Sequence, residues 1–188
     1  FQLIIIANAK TVTKENEDVV ATFNTTTTSK NEKSNQNLPI EIKAKSAVLM
    51  DVTTGEVLME YNADEKLFPA SVTKIMTMLL VVEAIRDGKI SLTDIVVCSE
   101  NASKKGGSQI WLEPNEEMTV NDLLKATVIG SANDAATLLG EYISGSESVF
   151  VSKMNKLVES LGLKNTHFEN CTGLPIENHY SSAYAICE

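Results

Sequence analysis

The alternation of apolar and polar positions divides the chain into two short strand-like runs followed by several helical stretches. Residues 46–50 and 56–61 flank a turn that contains Gly55, which predicts an antiparallel β-hairpin. Beyond the hairpin, apolar residues recur at helical spacing, and Gly88 and Gly162 provide stop signals. The predicted helices span residues 71–87, 120–129, 134–143 and 147–161.

Two leading strands followed by helices predict an α+β domain. Residues 41–188 are enough for one domain, or for the larger part of one. The stretch at 75–85 is apolar nearly all round but too short to cross a bilayer, so we expect it in the core. Residues 109–114 around Trp111 alternate in the manner of a short strand or the edge of a cleft.

The first forty residues have a different character. An apolar run ends in Ala7-Asn8-Ala9, which is typical of the end of a signal peptide, so residues 1–9 are predicted to be its remnant. A short buried strand is the alternative. Residues 10–40 are polar and of low complexity, which predicts a disordered linker before a domain at 41–188.

Charge and cysteine content reduce the number of function classes that the chain can belong to. A net charge of −9 and a pI near 4.8 argue against nucleic-acid binding, which requires a basic face. Three cysteines without a C-x-x-C pair indicate neither a disulfide framework nor a zinc site, which leaves buried thiols or a single disulfide. The spacing of His167 and His179 does not support a Ser-His-Asp triad, and we expect structural roles for both.

A hydroxyl and an amine lie one turn apart where the first predicted helix begins. Ser71 and Lys74 are three residues apart and therefore neighbours on one helix face. A lysine kept neutral by burial can take the proton of a serine, which makes the hydroxyl a nucleophile. The alternative is a serine that caps the helix and a solvated lysine.

Polar residues also mark the connection between the second and third predicted helices. Gly130 ends one helical pattern, and Ser131 and Asn133 fall on the short connection that follows. Such a connection can direct both side chains into a cleft. The alternative is that Ser131, Asn133 and Asp134 merely cap the next helix.

Ser-x-x-Lys followed by Ser-x-Asn is a pattern of penicillin-binding proteins and class A β-lactamases. With the segments around it, the run from Ser46 to Ser182 resembles the D-alanyl-D-alanine carboxypeptidases, the low-molecular-mass, type 5-like penicillin-binding proteins of serine peptidase family S11. Besides the two motifs, the segments that carry the resemblance are residues 47–58, 68–77, 106–108, 161–168, 173–175 and 179–182.

The resemblance implies the front part of a β-lactamase/transpeptidase-like domain, with the N-terminal hairpin and the helical cluster but without the C-terminal strands of the sheet. It implies removal of the terminal D-alanine from peptidoglycan stem pentapeptides on the outer face of a bacterial cytoplasmic membrane. Ser71 would be the nucleophile, Lys74 the base, Ser131 a proton relay and Asn133 a substrate-binding residue. β-Lactams would acylate Ser71, and neither a metal nor an organic cofactor is implied.

The sequence departs from the family in its third motif. Neither Lys-Thr-Gly nor Lys-Ser-Gly occurs after Ser131. We therefore expect the chain to be part of a longer protein, poorly stable and catalytically inactive by itself, with membrane association only through a C-terminal region that it lacks. A β-lactamase and a non-catalytic, wall-associated binding module are the alternatives.

Overall fold

The computed structural model describes residues 43–188 together with the backbone of residues 5–7. The predicted linker at 10–40 lies outside the described residues, as does most of the predicted signal-peptide remnant. Residues 5–7 form a short strand, β1 (Ile5–Ala7). The assignment of residues 1–9 to an export signal stays a prediction.

The predicted hairpin is confirmed. Strands β2 (Ala47–Asp51) and β3 (Val57–Tyr61) pair antiparallel, and β1 lies parallel to β2 on its other side. The Asp51 side chain accepts hydrogen bonds from the backbone N–H groups of Thr53 and Thr54, which closes the turn. With the helices that follow, the α+β prediction is confirmed.

Four long helices follow, close to the predicted positions. They are α1 (Lys74–Arg86), α3 (Val120–Ile129), α4 (Asn133–Ser144) and α5 (Glu147–Ser160). Helix α1 begins three residues later than predicted, because residues Ala70–Thr73 form a 3₁₀ turn that leads into it. Ala70, the residue immediately before Ser71 in this turn, has a positive φ of 48°.

Several short elements were not predicted, since three to five residues are too few for a periodic pattern. They are β4 (Ile95–Val97), α2 (Glu100–Ser103), β5 (Glu117–Thr119) and α6 (Ala183–Cys187). Strands β4 and β5 pair antiparallel as a separate ribbon. Residues 109–114 do not form a strand.

Helix α4 lies at the centre of the helical cluster, and every residue from Asn133 to Gly140 is buried. One apolar cluster joins α4 to α1 and α3, and a second joins α5 to the segment at 168–171. The apolar helix α1 is only partly core, because Ile75 and Val82 on its outer face are more than half exposed. Within residues 43–188, none of the helices has the length and apolarity required to cross a membrane.

Candidate active site

The Ser71 hydroxyl and the Lys74 amine meet at the start of α1. Residues three apart in a 3₁₀ turn lie almost above one another, and this turn places Lys74 Nζ 3.3 Å from Ser71 Oγ. The Ser71 residue is exposed, whereas only 2% of Lys74 is accessible. A reagent from solvent can therefore reach the oxygen while the nitrogen stays shielded.

Two further acceptors hold the Lys74 amine. Nζ lies 2.6 Å from Asn133 Oδ1 and 2.9 Å from the carbonyl oxygen of Thr172. Burial lowers the pKa of Lys74 to about 8 from an ordinary value of 10.5. Near physiological pH the amine is then still mostly an ammonium ion, but its neutral fraction is far larger than that of an ordinary lysine, as a base for the Ser71 proton requires.

The alternative for this pair, a capping serine and a solvated lysine, is wrong. Pro69 occupies the N-cap position of the 3₁₀ turn, Thr73 occupies that of α1, and neither cap has a side-chain hydrogen bond. The buried ammonium of Lys74 contradicts the second half of the alternative.

Asn133 connects the Lys74 amine to the loop at 106–108. Its Nδ2 donates to the carbonyl oxygen of Gly106 at 2.6 Å, and its backbone N–H donates to that of Ser108 at 2.7 Å. A β-carbon on Gly107 would lie 2.7 Å from Nδ2, so a glycine allows the loop to approach the amide this closely. Asn133 is 4% exposed and begins α4 without capping it through its side chain.

Ser131 lies outside this hydrogen-bonded group. It is partly buried and adopts a left-handed conformation, with φ 53°, two residues before Asn133. Among the residues that the structure describes, its hydroxyl has no hydrogen-bond partner, and the capping role considered for it is not observed. Of the four predicted site residues, Ser71, Lys74 and Asn133 are thus joined directly.

The sequence did not predict the part played by residues 170–173. Asn170 Oδ1 accepts hydrogen bonds from the backbone N–H groups of Thr172 and Gly173 and from the Thr172 hydroxyl. This turn presents the Thr172 carbonyl to Lys74. Residues 173–175 are part of the family resemblance, but a backbone acceptor has no side-chain signature from which it could be predicted.

Asp134, which follows Asn133 in α4, binds the backbone of a neighbouring loop. Its carboxylate is fully buried and accepts hydrogen bonds from the backbone N–H groups of Ile110, Leu112 and Ala135. Between the first two lies Trp111, which is 76% exposed and has a φ of 64°. Residues 109–114 therefore form a loop whose backbone is anchored to the residue that follows Asn133.

The two histidines have different surroundings, and neither hydrogen-bonds Ser71. His179 is buried, with Nε2 2.8 Å from Thr73 Oγ1 and Nδ1 accepting from the backbone N–H of Glu169. That acceptor role places the ring proton on Nε2. His167 is exposed and bonds Glu169. Cys98, Cys171 and Cys187 are free thiols.

Comparison with known proteins identifies the family of this chain. Residues 25–188 match the peptidase S11 family, D-alanyl-D-alanine carboxypeptidase. The chain is 59% identical over 142 residues to D-alanyl-D-alanine carboxypeptidase DacF of Bacillus subtilis (strain 168), covering 76% of this chain and 36% of that protein.

Two solved structures are similar in fold. Penicillin-binding protein 5 of Haemophilus influenzae is 41% identical, with a TM-score of 0.76 over 79% of this chain and 44% of that one. Penicillin-binding protein D2 of Listeria monocytogenes, in its ampicillin-bound form, is 28% identical, with a TM-score of 0.68 over 78% and 59% of the two chains. The chain thus spans about a third to three fifths of the length of these proteins, and it belongs to the D-alanyl-D-alanine carboxypeptidase family, peptidase S11.

Proposed function

We propose that this chain carries the nucleophile and the base of a serine-type D-Ala-D-Ala carboxypeptidase. The observation that supports this most strongly is the contact between an exposed Ser71 hydroxyl and a buried Lys74 amine at 3.3 Å. Family membership supports the substrate class that we propose, the D-Ala-D-Ala end of a peptidoglycan stem pentapeptide. Since the chain spans 36% of its Bacillus relative, the activity of the whole protein is part of the proposal.

In the first step, Ser71 Oγ attacks the carbonyl carbon of the penultimate D-alanine while Lys74 Nζ accepts the hydroxyl proton. The tetrahedral intermediate collapses, the carbon–nitrogen bond breaks, and the Ser71 ester remains. The leaving amine takes up a proton and departs as D-alanine. A lysine with a pKa of about 8 can both accept and return that proton near neutral pH.

Ser131 and Asn133 would complete the reaction. We assign to the Ser131 hydroxyl the relay of the proton from Lys74 to the departing amine, because it lies on the short connection before Asn133 and its hydrogen-bonding capacity is unused within the described part of the chain. Asn133 would orient the substrate backbone as well as Lys74. Water would then hydrolyse the ester and release Ser71, with neither a metal nor an organic cofactor required.

β-Lactams would acylate the same oxygen. The strained lactam amide resembles the D-Ala-D-Ala bond, and opening it would leave an ester on Ser71. The similarity to an ampicillin-bound penicillin-binding protein supports this part of the proposal.

The 188 residues alone would be inactive, because no third motif follows Ser131 and the outer face of α1 is bare at Ile75 and Val82. We propose that the active protein acts outside the cytoplasmic membrane, where its substrate lies.

Labelling with a fluorescent penicillin tests the function. The product of the whole open reading frame should take up one stable label, the Ser71→Ala variant should take up none, and the 188-residue chain should stay unlabelled. Absence of label on the whole product would contradict the acyl-enzyme proposal and favour a binding module. Rapid loss of the label would favour a β-lactamase. Labelling of the 188-residue chain would contradict its proposed inactivity.

A further inference from the structure

Glu147, the first residue of α5, reaches the loop that holds Asn133. Its Oε2 lies 2.6 Å from Lys105 Nζ, and with side chains 16% and 18% exposed this ion pair is largely shielded from water. Lys105 directly precedes Gly106, whose carbonyl oxygen accepts the hydrogen bond from Asn133 Nδ2. One peptide unit thus separates the ion pair from the Asn133 amide.

The other oxygen of the same carboxylate reaches the segment that holds Lys74. Cys171 Sγ lies 3.4 Å from Glu147 Oε1 and is fully buried. Cys171 directly precedes Thr172, whose carbonyl oxygen accepts from Lys74 Nζ at 2.9 Å. The two contacts of the Glu147 carboxylate, with Lys105 and with Cys171, are the two arms of one arrangement. In each arm, the residue that contacts Glu147 directly precedes a residue whose carbonyl oxygen accepts a hydrogen bond from a side chain of the candidate site.

The protonation states suit this arrangement. Burial raises the pKa of the Cys171 thiol and the neighbouring Glu147 carboxylate raises it further, so the thiol keeps its proton and can donate it. Burial opposes ionisation of Glu147, but the hydrogen bond and positive charge of Lys105 outweigh it and leave the pKa of Glu147 lowered. One ionised carboxylate thus faces Lys105, the Cys171 thiol and, at 3.4 Å from Oε2, the Asn101 amide.

We propose that Glu147 is a positioning residue whose carboxylate ties together the two backbone segments that hold Lys74 and Asn133. We call Lys105, Glu147 and Cys171 the Glu147 bridge. A shielded ion pair depends strictly on its geometry, because a misplaced partner leaves a buried charge uncompensated. The consequence for catalysis rests on the function proposed above, whereas the effect on the two side chains can be measured without substrate.

Hydrogen exchange of these two side chains tests the proposal. In ¹⁵N-labelled protein near pH 6, Lys74 is an ammonium ion with three acceptors and should exchange its protons slowly enough to be seen, as should the Asn133 amide. In Glu147→Gln, we expect both to exchange about fivefold faster or more, the equivalent of one neutral hydrogen bond.

Two further variants separate the effects of the two arms of the bridge, and they test the proposal by themselves if Glu147→Gln does not fold. Lys105→Met should accelerate exchange mainly at Asn133, and Cys171→Ala mainly at Lys74. A general loss of stability would accelerate both sites together in every variant. In the double variant Lys105→Met/Glu147→Gln, the exchange rate of the Asn133 amide should equal that in Glu147→Gln, because both substitutions break the same contact.

Glu100→Gln is the matched control. It makes the same chemical change in an ion pair with Lys104 that is exposed, and it should leave both exchange rates unchanged. Unchanged exchange in Glu147→Gln, or equal acceleration at both sites in all three single variants, would overturn the proposal. If the wild-type product of the whole open reading frame took up no penicillin label, the proposed function would be contradicted, but these exchange rates would be unaffected.

Discussion

Gly173 packs against the backbone of Ala70 so closely that a β-carbon at position 173 would lie 1.8 Å from the Ala70 carbonyl oxygen. Both residues have positive φ values, 87° for Gly173 and 48° for Ala70. The contact joins the turn that carries Ser71 to the segment that presents the Thr172 carbonyl. Backbone contact, rather than side-chain packing, thus sets how this segment meets the start of α1.

The first prediction concerns this contact. Gly173→Ala should destabilise the protein by about 3 kcal/mol or more, because two backbone segments must separate to admit the methyl group. The control is Gly162→Ala, since Gly162 has a φ of 70° but open space around it. It should cost only about 1 kcal/mol, the strain of a left-handed alanine. Denaturant unfolding measures both, and equal losses would contradict the prediction.

The second prediction concerns the pH dependence of stability. Burial lowers the pKa of Lys74 in the folded protein to about 8. Between about pH 8 and 10.5, Lys74 is therefore protonated to a greater extent in the unfolded chain than in the folded protein. The free energy of unfolding should therefore rise with pH through this window.

The contribution of Lys74 is isolated by comparison with Lys74→Met. The difference in unfolding free energy between wild type and variant should grow by up to about 3 kcal/mol from pH 8 to 10.5, and it should be flat below pH 8, where both states carry the proton. A difference that does not change with pH would show that the folded and unfolded pKa values are equal. If Lys74 is the base, penicillin labelling of the product of the whole open reading frame should also accelerate as pH rises through about 8.

The third prediction concerns acid stability. Burial lowers the pKa of His179 below its ordinary 6.5, although Glu169 partly opposes the effect. The unfolded state then binds more protons just below pH 6.5, so this part of the stability is lost as pH falls through that region. His179→Gln should remove that loss, because a glutamine does not titrate. His167→Gln should retain most of it, because burial, and not the charge of His167, is the main cause of the lowered pKa of His179. Identical acid profiles for the two variants would contradict the prediction.

The fourth prediction concerns the loop beside Asn133. Asp134→Asn should cost about 2 to 3 kcal/mol, since the backbone N–H groups at 110, 112 and 135 would lose a charged acceptor. Trp111 is the single tryptophan, so its fluorescence anisotropy reports on this loop and should fall in the variant. Asp122→Asn, at an exposed position in the first turn of α3, is the control and should leave the anisotropy unchanged. Unaltered anisotropy in Asp134→Asn would show that the carboxylate does not hold the loop.

The sequence by itself determined the hairpin, the four long helices and the three side chains that meet at the site. Periodicity placed α3 at its observed bounds and the other helices within a few residues, because long amphipathic or apolar stretches repeat often enough to be recognised. The pair Ser71 and Lys74 could be predicted since three residues along a helical turn fix their proximity locally.

Only the tertiary structure decided what completes the site. The Thr172 carbonyl, the close approach of Gly173 and the Glu147 bridge all join segments far apart in the chain, and two of them act through backbone atoms that every residue shares. Likewise, the sequence offered only a helix cap as an alternative role for Asp134, whereas in the fold its carboxylate anchors the loop around Trp111. Local patterns encode which elements form, whereas long-range packing determines which carbonyls and carboxylates face them.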